Sequence, residues 1–160
     1  MIEALEALVS SGLDIERELE YSSAIDEAVG EALARDDDVF VMGEDIELLR
    51  DGLNEEFSDR IRNTPISETA FIGGGTEAAY SGLRPIVGLM FIDFFGVAMD
   101  QIYNQLAKIT CYSDGNLSVP LVIRAAYGGG YRDAGTASTL LVFDFRSRSQ
   151  AESRGSIDPV

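Results

Sequence analysis

The stretch from residue 63 to residue 105, NTPISETAFIGGGTEAAYSGLRPIVGLMFIDFFGVAMDQIYNQ, decides the fold and the chemistry of this chain. It places one isolated acidic residue, Glu68, in an apolar and glycine-rich setting. A carboxyl group that is shielded from water in this way can have its pKa moved toward neutrality and so exchange a proton during a reaction. The sequence therefore indicates Glu68 as the chemical centre.

The pattern of apolar residues predicts helices that alternate with strands. A first helix, capped by Ser23, is expected to end near Arg35, and the following acidic residues 36–38 are expected to form a solvated turn. Strands are predicted at 39–42, 85–90 and 119–124, and further helices at 73–82, opened by three glycines, and at 97–108. Such an alternation implies an α/β fold in which a parallel sheet carries helices on both faces.

Composition supports one globular domain. The chain has 160 residues, and its apolar content of 46% is high enough for a real core. It contains no apolar run long enough for a membrane span and no basic, apolar start typical of a signal peptide, so we expect a cytoplasmic protein that does not bind membranes. The single cysteine, Cys111, excludes an internal disulfide, and we expect it to be a small buried thiol.

The net charge of −16 is unevenly distributed along the chain. Residues 1–60 hold 19 acidic and 4 basic side chains, whereas residues 61–139 hold 6 and 5. No basic stripe is available to neutralise phosphates, so nucleic acid is not an expected partner. An acidic surface with a single lysine is typical of proteins that work in high salt, and we expect a halophilic source.

Three segments together carry a family resemblance: residues 63–105, VFVMGEDI at 39–46 and VPLVIR at 119–124. From about Glu18 to about Gly135 the chain resembles the beta subunit of the thiamin-diphosphate-dependent decarboxylating component of 2-oxoacid dehydrogenase complexes, of the pyruvate, branched-chain or acetoin type. The resemblance lies within the pyrimidine-binding domain of that subunit, which is transketolase-like. It implies oxidative decarboxylation of a 2-oxoacid and transfer of the acyl group to a lipoyl carrier.

The resemblance also implies roles for three residues. Glu68 matches the essential glutamate that hydrogen-bonds the cofactor's pyrimidine ring and favours its imino tautomer. Phe94 matches an aromatic ring that stacks on the aminopyrimidine, and Glu44 matches a second carboxylate near the site. The alternatives are a Glu68 that merely occupies the first turn of a helix capped by Ser67, an ordinary core Phe94 and a solvated Glu44.

Partners follow from the same resemblance. The family's thiamin diphosphate is shared with an alpha subunit, which holds the diphosphate and its Mg²⁺, usually within a heterotetramer, and the acyl group passes to a lipoyl-bearing acyltransferase. The glycine runs at 73–75 and 128–130 lack the spacing of a nucleotide fingerprint or a P-loop. We therefore expect no metal site in this chain alone.

Two departures favour an alternative interpretation. The chain has no histidine, and the family's histidine after the glycine-rich loop is replaced by Ala137. Beyond about residue 138 the resemblance ends. We therefore divide the chain into a lead-in at 1–17, a pyrimidine-binding domain at 18–139 that is incomplete at its C-terminal end, and a divergent tail at 140–160. The alternative to an active subunit is a truncated, catalytically silent remnant that keeps an assembly surface.

Overall fold

A computed structural model describes residues 19–49 and 51–126 of the chain. The elements in chain order are α1 (Tyr21–Arg35), β1 (Val39–Gly43), α2 (Ile46–Leu49), α3 (Asp51–Phe57), β2 (Ile61–Asn63), α4 (Glu68–Tyr80), β3 (Arg84–Phe91), a 3-10 helix (Ile92–Gly96), a π-helix (Asp100–Leu106), α5 (Ile109–Tyr112) and β4 (Val122–Ala126). Strands alternate with helices, as the apolar pattern predicts. The lead-in at 1–17, the tail at 140–160 and Ala137 lie outside the described residues.

The four described strands form one parallel sheet in the order β2-β1-β3-β4. β1 and β3 pair over their whole common length, from Val39 beside Arg84 to Gly43 beside Gly88. The register between β3 and β4 shifts between Leu89 and Phe91. Such an irregularity bends a strand locally, and here it lies where β3 leads into the 3-10 helix.

Helices cover both faces of the sheet, which confirms the predicted α/β class. On one face, α1 and α3 pack their apolar side chains on β1 and β2, forming a cluster that contains Leu33, Val39, Val41, Ile46, Phe57 and Ile61. On the other face, α4 and the π-helix pack on β3, forming a cluster that contains Phe71, Ile72, Val87, Leu89, Ala98 and Ile102. Because a parallel strand is buried on both sides, its sequence is apolar at nearly every position, as in residues 85–91.

Several element boundaries differ from the sequence-based predictions. The glycines at 73–75 do not open a helix; they lie in the middle of α4, which begins at Glu68. The predicted helix at 97–108 is instead a π-helix at Asp100–Leu106 that follows a 3-10 helix. The strand predicted at 119–124 begins only at Val122. Four short elements, α2, α3, β2 and α5, were not predicted because their sequences are too short to show a period.

Two predictions about single residues, Ser23 and Cys111, differ from the structure. α1 ends at Arg35 as predicted but begins at Tyr21, and Ser23 lies inside it rather than at its N-cap. Cys111 is exposed, so the expectation of a buried thiol was wrong: α5 is a single turn that lacks any buried residue.

None of the helices in the described part of the chain is long and apolar enough to cross a bilayer.

Candidate active site

The connections that leave the carboxyl ends of β1 and β3 run in opposite directions. The chain passes from β1 to β2 on one side of the sheet, and from β3 to β4 on the other. In open parallel sheets this reversal leaves a crevice at the carboxyl edge, and ligands bind there. Glu44 follows β1 directly and Phe94 follows β3 within three residues, so both predicted site residues lie at this edge.

Glu68 reaches the same edge from β2. The short connection 64–67 links β2 to α4, and Glu68 is the first residue of that helix. Its side chain is buried, with 8% of its surface exposed, and the described residues provide no hydrogen-bond partner for its carboxylate. Ser67 occupies the N-cap position, but its side chain makes no capping hydrogen bond. The alternative interpretation, a Glu68 in the first turn of a helix capped by Ser67, is therefore correct for the position of Glu68 and wrong for the cap. A buried carboxylate without a partner is available to a ligand.

Glu44 and Glu68 lie close enough to influence each other electrostatically. Burial, the charge of Glu68 and the charge of Asp45, in that order, raise the pKa of the Glu44 carboxyl above its ordinary value. Glu44 is only partly buried, because it also lines a cavity of about 520 Å³ between α1 and the sheet. The interpretation of Glu44 as a merely solvated loop acid does not account for this setting. The structure therefore brings the two predicted carboxylates together.

Phe94 lies in the 3-10 helix and packs against the cluster on the α4 face of the sheet. Its ring meets that of Phe91 edge to face, with centroids 6.2 Å apart and planes at 70°. It is partly buried, so both interpretations of Phe94, core residue and stacking platform, agree with its position.

Close backbone packing holds the turn after β1 in place. A Cβ at Gly43 would lie 2.3 Å from the Gly88 carbonyl oxygen, and one at Gly88 would lie 2.7 Å from Cδ1 of Ile46. Only glycine fits at position 43, because the clash there is with backbone, whereas a side chain at position 88 would require Ile46 to move. Asp45 has a φ of 48°, a left-handed conformation that costs free energy in a residue with a side chain. The chain thus turns sharply between Glu44 and Ile46.

Sequence reasoning missed one polar pair beside the site. Glu47, in α2, and Asn63, the last residue of β2, hydrogen-bond each other directly. The sequence gives little indication of this pair, because 16 positions separate the two residues and the strand that ends at Asn63 was not predicted. Within residues 19–49 and 51–126, no cluster of three or more acidic or cysteine side chains could hold a metal ion.

Comparison with models of known protein families identifies the family of this domain. Residues 17–140 match the model described as "Transketolase, pyrimidine binding domain". Because this match covers more than half of the chain, the protein belongs to that family.

Three relatives show which subunits within this family the chain is similar to. The chain is 40% identical over 141 residues to the beta subunit of acetoin:2,6-dichlorophenolindophenol oxidoreductase of Cupriavidus necator, covering 78% of this chain and 42% of the relative. It is 41% identical over 123 residues to the beta subunit of 2-oxoisovalerate dehydrogenase of Bacillus subtilis, covering 72% and 38%. It is 40% identical over 118 residues to the beta subunit of the pyruvate dehydrogenase E1 component of Rhizobium meliloti, covering 69% and 26%. The chain thus spans less than half the length of these relatives.

Proposed function

We propose that this chain supplies the pyrimidine side of a thiamin-diphosphate site in a beta-type subunit of a 2-oxoacid or acetoin dehydrogenase. The observation that carries the proposal is the buried Glu68 carboxylate, which has no hydrogen-bond partner among the described residues and lies beside Glu44 at the carboxyl edge of the sheet. Membership in the pyrimidine-binding family supports the same cofactor.

The residues at this edge fit an aminopyrimidine ring. A buried carboxyl group matches a ring nitrogen that must accept or release a proton, and an aromatic side chain matches the flat face of the ring. In this proposal Glu68 hydrogen-bonds the ring nitrogen, Phe94 stacks on the ring, and Glu44 adds a negative charge next to Glu68. Thiamin diphosphate itself supplies the electron sink for decarboxylation.

Each residue has a distinct task. Glu68 holds and exchanges a proton, and its burial limits the access of water to that hydrogen bond. Burial, and next the charge of Glu68, raise the pKa of the Glu44 carboxyl, so Glu44 keeps a proton more readily than an isolated carboxyl group does. The family resemblance assigns the diphosphate and its Mg²⁺ to an alpha subunit. Such a shared site implies a hetero-oligomer, with a lipoyl-bearing acyltransferase as the acceptor of the acyl group.

Reconstitution with an alpha-type subunit tests the proposal. We expect Glu68→Gln to abolish turnover and leave the circular dichroism spectrum unchanged, because the amide keeps the size of the side chain but cannot exchange a proton with the ring. The matched control is Glu77→Gln, the same change at an exposed position of the same helix. Normal turnover by the Glu68→Gln complex would contradict the catalytic role.

Calorimetry tests whether the site is shared. Titration of the isolated chain with thiamin diphosphate and Mg²⁺ is expected to give no heat, since the diphosphate side of the site is supplied by the partner. The same titration of the complex is expected to give heat. Binding of micromolar cofactor by the isolated chain would overturn the shared site.

A second candidate is an assembly subunit without catalytic activity. It is favoured by the absence of histidine from all 160 residues, including position 137, where the family resemblance places one. A wild-type complex that assembles with a proven alpha subunit but does not turn over would support it. In that case we expect Ala137→His to raise the activity.

A further inference from the structure

Glu47 and Asn63 join the end of β2 to the start of α2 by three hydrogen bonds. The Asn63 Nδ2 donates to Glu47 Oε2 at 3.0 Å, the Asn63 backbone N–H donates to Oε1 at 3.4 Å, and the Glu47 backbone N–H donates to Asn63 Oδ1 at 3.0 Å. Two of these bonds are accepted by the Glu47 carboxylate, and all three are exposed to solvent. We call this pair the 47–63 clamp.

The clamp lies between the two connections that carry the site carboxylates. Glu44 precedes Glu47 by three residues, and Glu68 follows Asn63 by five. Directly after the clamp, the Thr64 backbone N–H donates to the Gly43 carbonyl at 2.9 Å, which ties the same two connections together a second time. The start of the path to Glu68 is therefore fixed against the end of β1.

We propose that Glu47 and Asn63 are positioning residues that hold Glu68 within reach of Glu44, and thereby at the pyrimidine-binding position. The second half of this statement rests on the proposed function; the first half concerns the free chain alone. β2 is only three residues long and, among the described strands, pairs with β1 alone, so its backbone ladder is a weak anchor. The clamp adds the side-chain bonds that this short edge strand lacks.

The pairing requires one carboxylate and one amide. An aspartate at position 63 would face the Glu47 carboxylate without a side-chain donor, and like charges in contact repel each other. Exchanging the two groups, as in the double variant Glu47→Gln/Asn63→Asp, restores one amide opposite one carboxylate with nearly unchanged volumes. A clamp that acts through these bonds is thus broken by the single change and restored by the double one.

The first measurement uses the full chain without cofactor. Hydrogen exchange with NMR detection at fixed salt measures the protection factor of the Thr64 amide. The intrinsic exchange rate is corrected for the changed side chain at position 63. We expect protection to fall about tenfold in Asn63→Asp, which corresponds to the loss of one net hydrogen bond. We expect wild-type protection in the double variant. Glu47→Ala provides a second way to break the clamp without adding charge, should Asn63→Asp fail to fold.

A matched control separates the clamp from added charge. Asn104 donates from Nδ2 to Asp100 Oδ1 at 2.7 Å in the π-helix, so Asn104→Asp makes the same chemical change opposite another carboxylate. We expect this variant to leave Thr64 protection unchanged.

The second measurement follows the two carboxylates. With glutamate carboxyl groups labelled for NMR, Glu68→Gln is expected to lower the titration midpoint of Glu44, because it removes a neighbouring negative charge. This effect should be present in the wild-type and double-variant backgrounds and reduced in Asn63→Asp. A third measurement, in the complex with an alpha subunit, is expected to show about tenfold weaker thiamin diphosphate binding for Asn63→Asp and recovery in the double variant.

The outcomes distinguish the clamp from the proposed function. Wild-type protection and an undiminished effect of Glu68→Gln on Glu44 in Asn63→Asp would overturn the clamp, as would failure of the double variant to recover. A wild-type complex that binds no thiamin diphosphate would overturn the proposed function, while the two measurements on the free chain would still decide the clamp.

Discussion

At the scale of single residues, the site combines two carboxylates that are individually unfavourable where they lie. Glu68 is buried without a hydrogen-bond partner in the described part of the chain, and Glu44 lies near both Glu68 and Asp45. Natural proteins keep such arrangements mainly at functional sites, where a group must change its protonation state. The same crowding should therefore lower the stability of the folded chain at neutral pH.

Replacing Glu44 tests whether the crowded carboxylates lower the stability of the folded chain. The folded state binds the Glu44 proton more tightly than the unfolded state does, so the contribution of this group to stability falls as pH rises from its ordinary value through its raised pKa. We expect Glu44→Gln to stabilise the chain by up to about 1 kcal/mol at pH 7 and to have little effect well below the ordinary pKa.

Urea unfolding at both pH values measures this difference. The exposed residue Glu56 provides the control, because Glu56→Gln makes the same charge change away from the site. Equal effects of the two substitutions at pH 7 would contradict the crowding of Glu44.

At the scale of elements, α4 depends on close contact with β3. A Cβ at Gly75 would lie 2.7 Å from Val87 Cγ2 and 3.3 Å from Leu121 Cδ1, and Val87 is fully buried. At Gly74, the next residue, the nearest neighbouring atom would be 3.9 Å away. Two adjacent glycines in one helix thus have different reasons to be glycine: one is required by packing, whereas the other only weakens the helix.

This difference predicts opposite effects of one substitution. Gly75→Ala is expected to destabilise the chain by about 1–3 kcal/mol, because the core around Val87 cannot yield without strain. Gly74→Ala is expected to stabilise it by about 0.5–1 kcal/mol through better helix propensity. Thermal unfolding of the two variants side by side measures both. Stabilisation by Gly75→Ala would show that the contact between α4 and β3 is looser than described.

At the scale of the whole molecule, the charge of residues 1–60 sets the conditions for folding. This part of the sequence contains nineteen acidic and four basic side chains. The ion pairs in the described part of the chain are few and mostly exposed. Unscreened repulsion of this kind destabilises a compact state. Salt should therefore matter more for this chain than for a protein of balanced charge.

We expect the melting temperature to climb with potassium chloride. The Debye length falls from roughly 30 Å at 0.01 M to roughly 3 Å at 1 M, so repulsion between separated acids is largely screened at the higher concentration. Differential scanning calorimetry across this range measures the effect, and a variant with several of the acids at 36–59 changed to amides should show a weaker dependence. A melting temperature independent of salt would remove the halophilic interpretation.

The sequence by itself determined the fold class, because fold class follows from the local pattern of apolar residues. The candidate site residues came from the family resemblance, since local pattern alone does not separate them from a capped helix start, a core ring and a solvated acid. Strand β3 is recognisable by its unbroken apolar run and Glu68 by its isolation in that setting. The start of α4 was misplaced, because local propensity disfavours glycine inside a helix, whereas contact with Val87 of β3 selects glycine at position 75.

Only the tertiary structure decided how the parts meet. Glu44, Glu68 and Phe94 follow three different strands, and the strand order β2-β1-β3-β4 brings their ends to one edge of the sheet. The bonds between Glu47 and Asn63 likewise depend on the pairing of β1 with β2, which no local pattern encodes. Periodicity reports how each segment is buried, but strand order and side-chain contacts result from packing between segments that are distant in sequence.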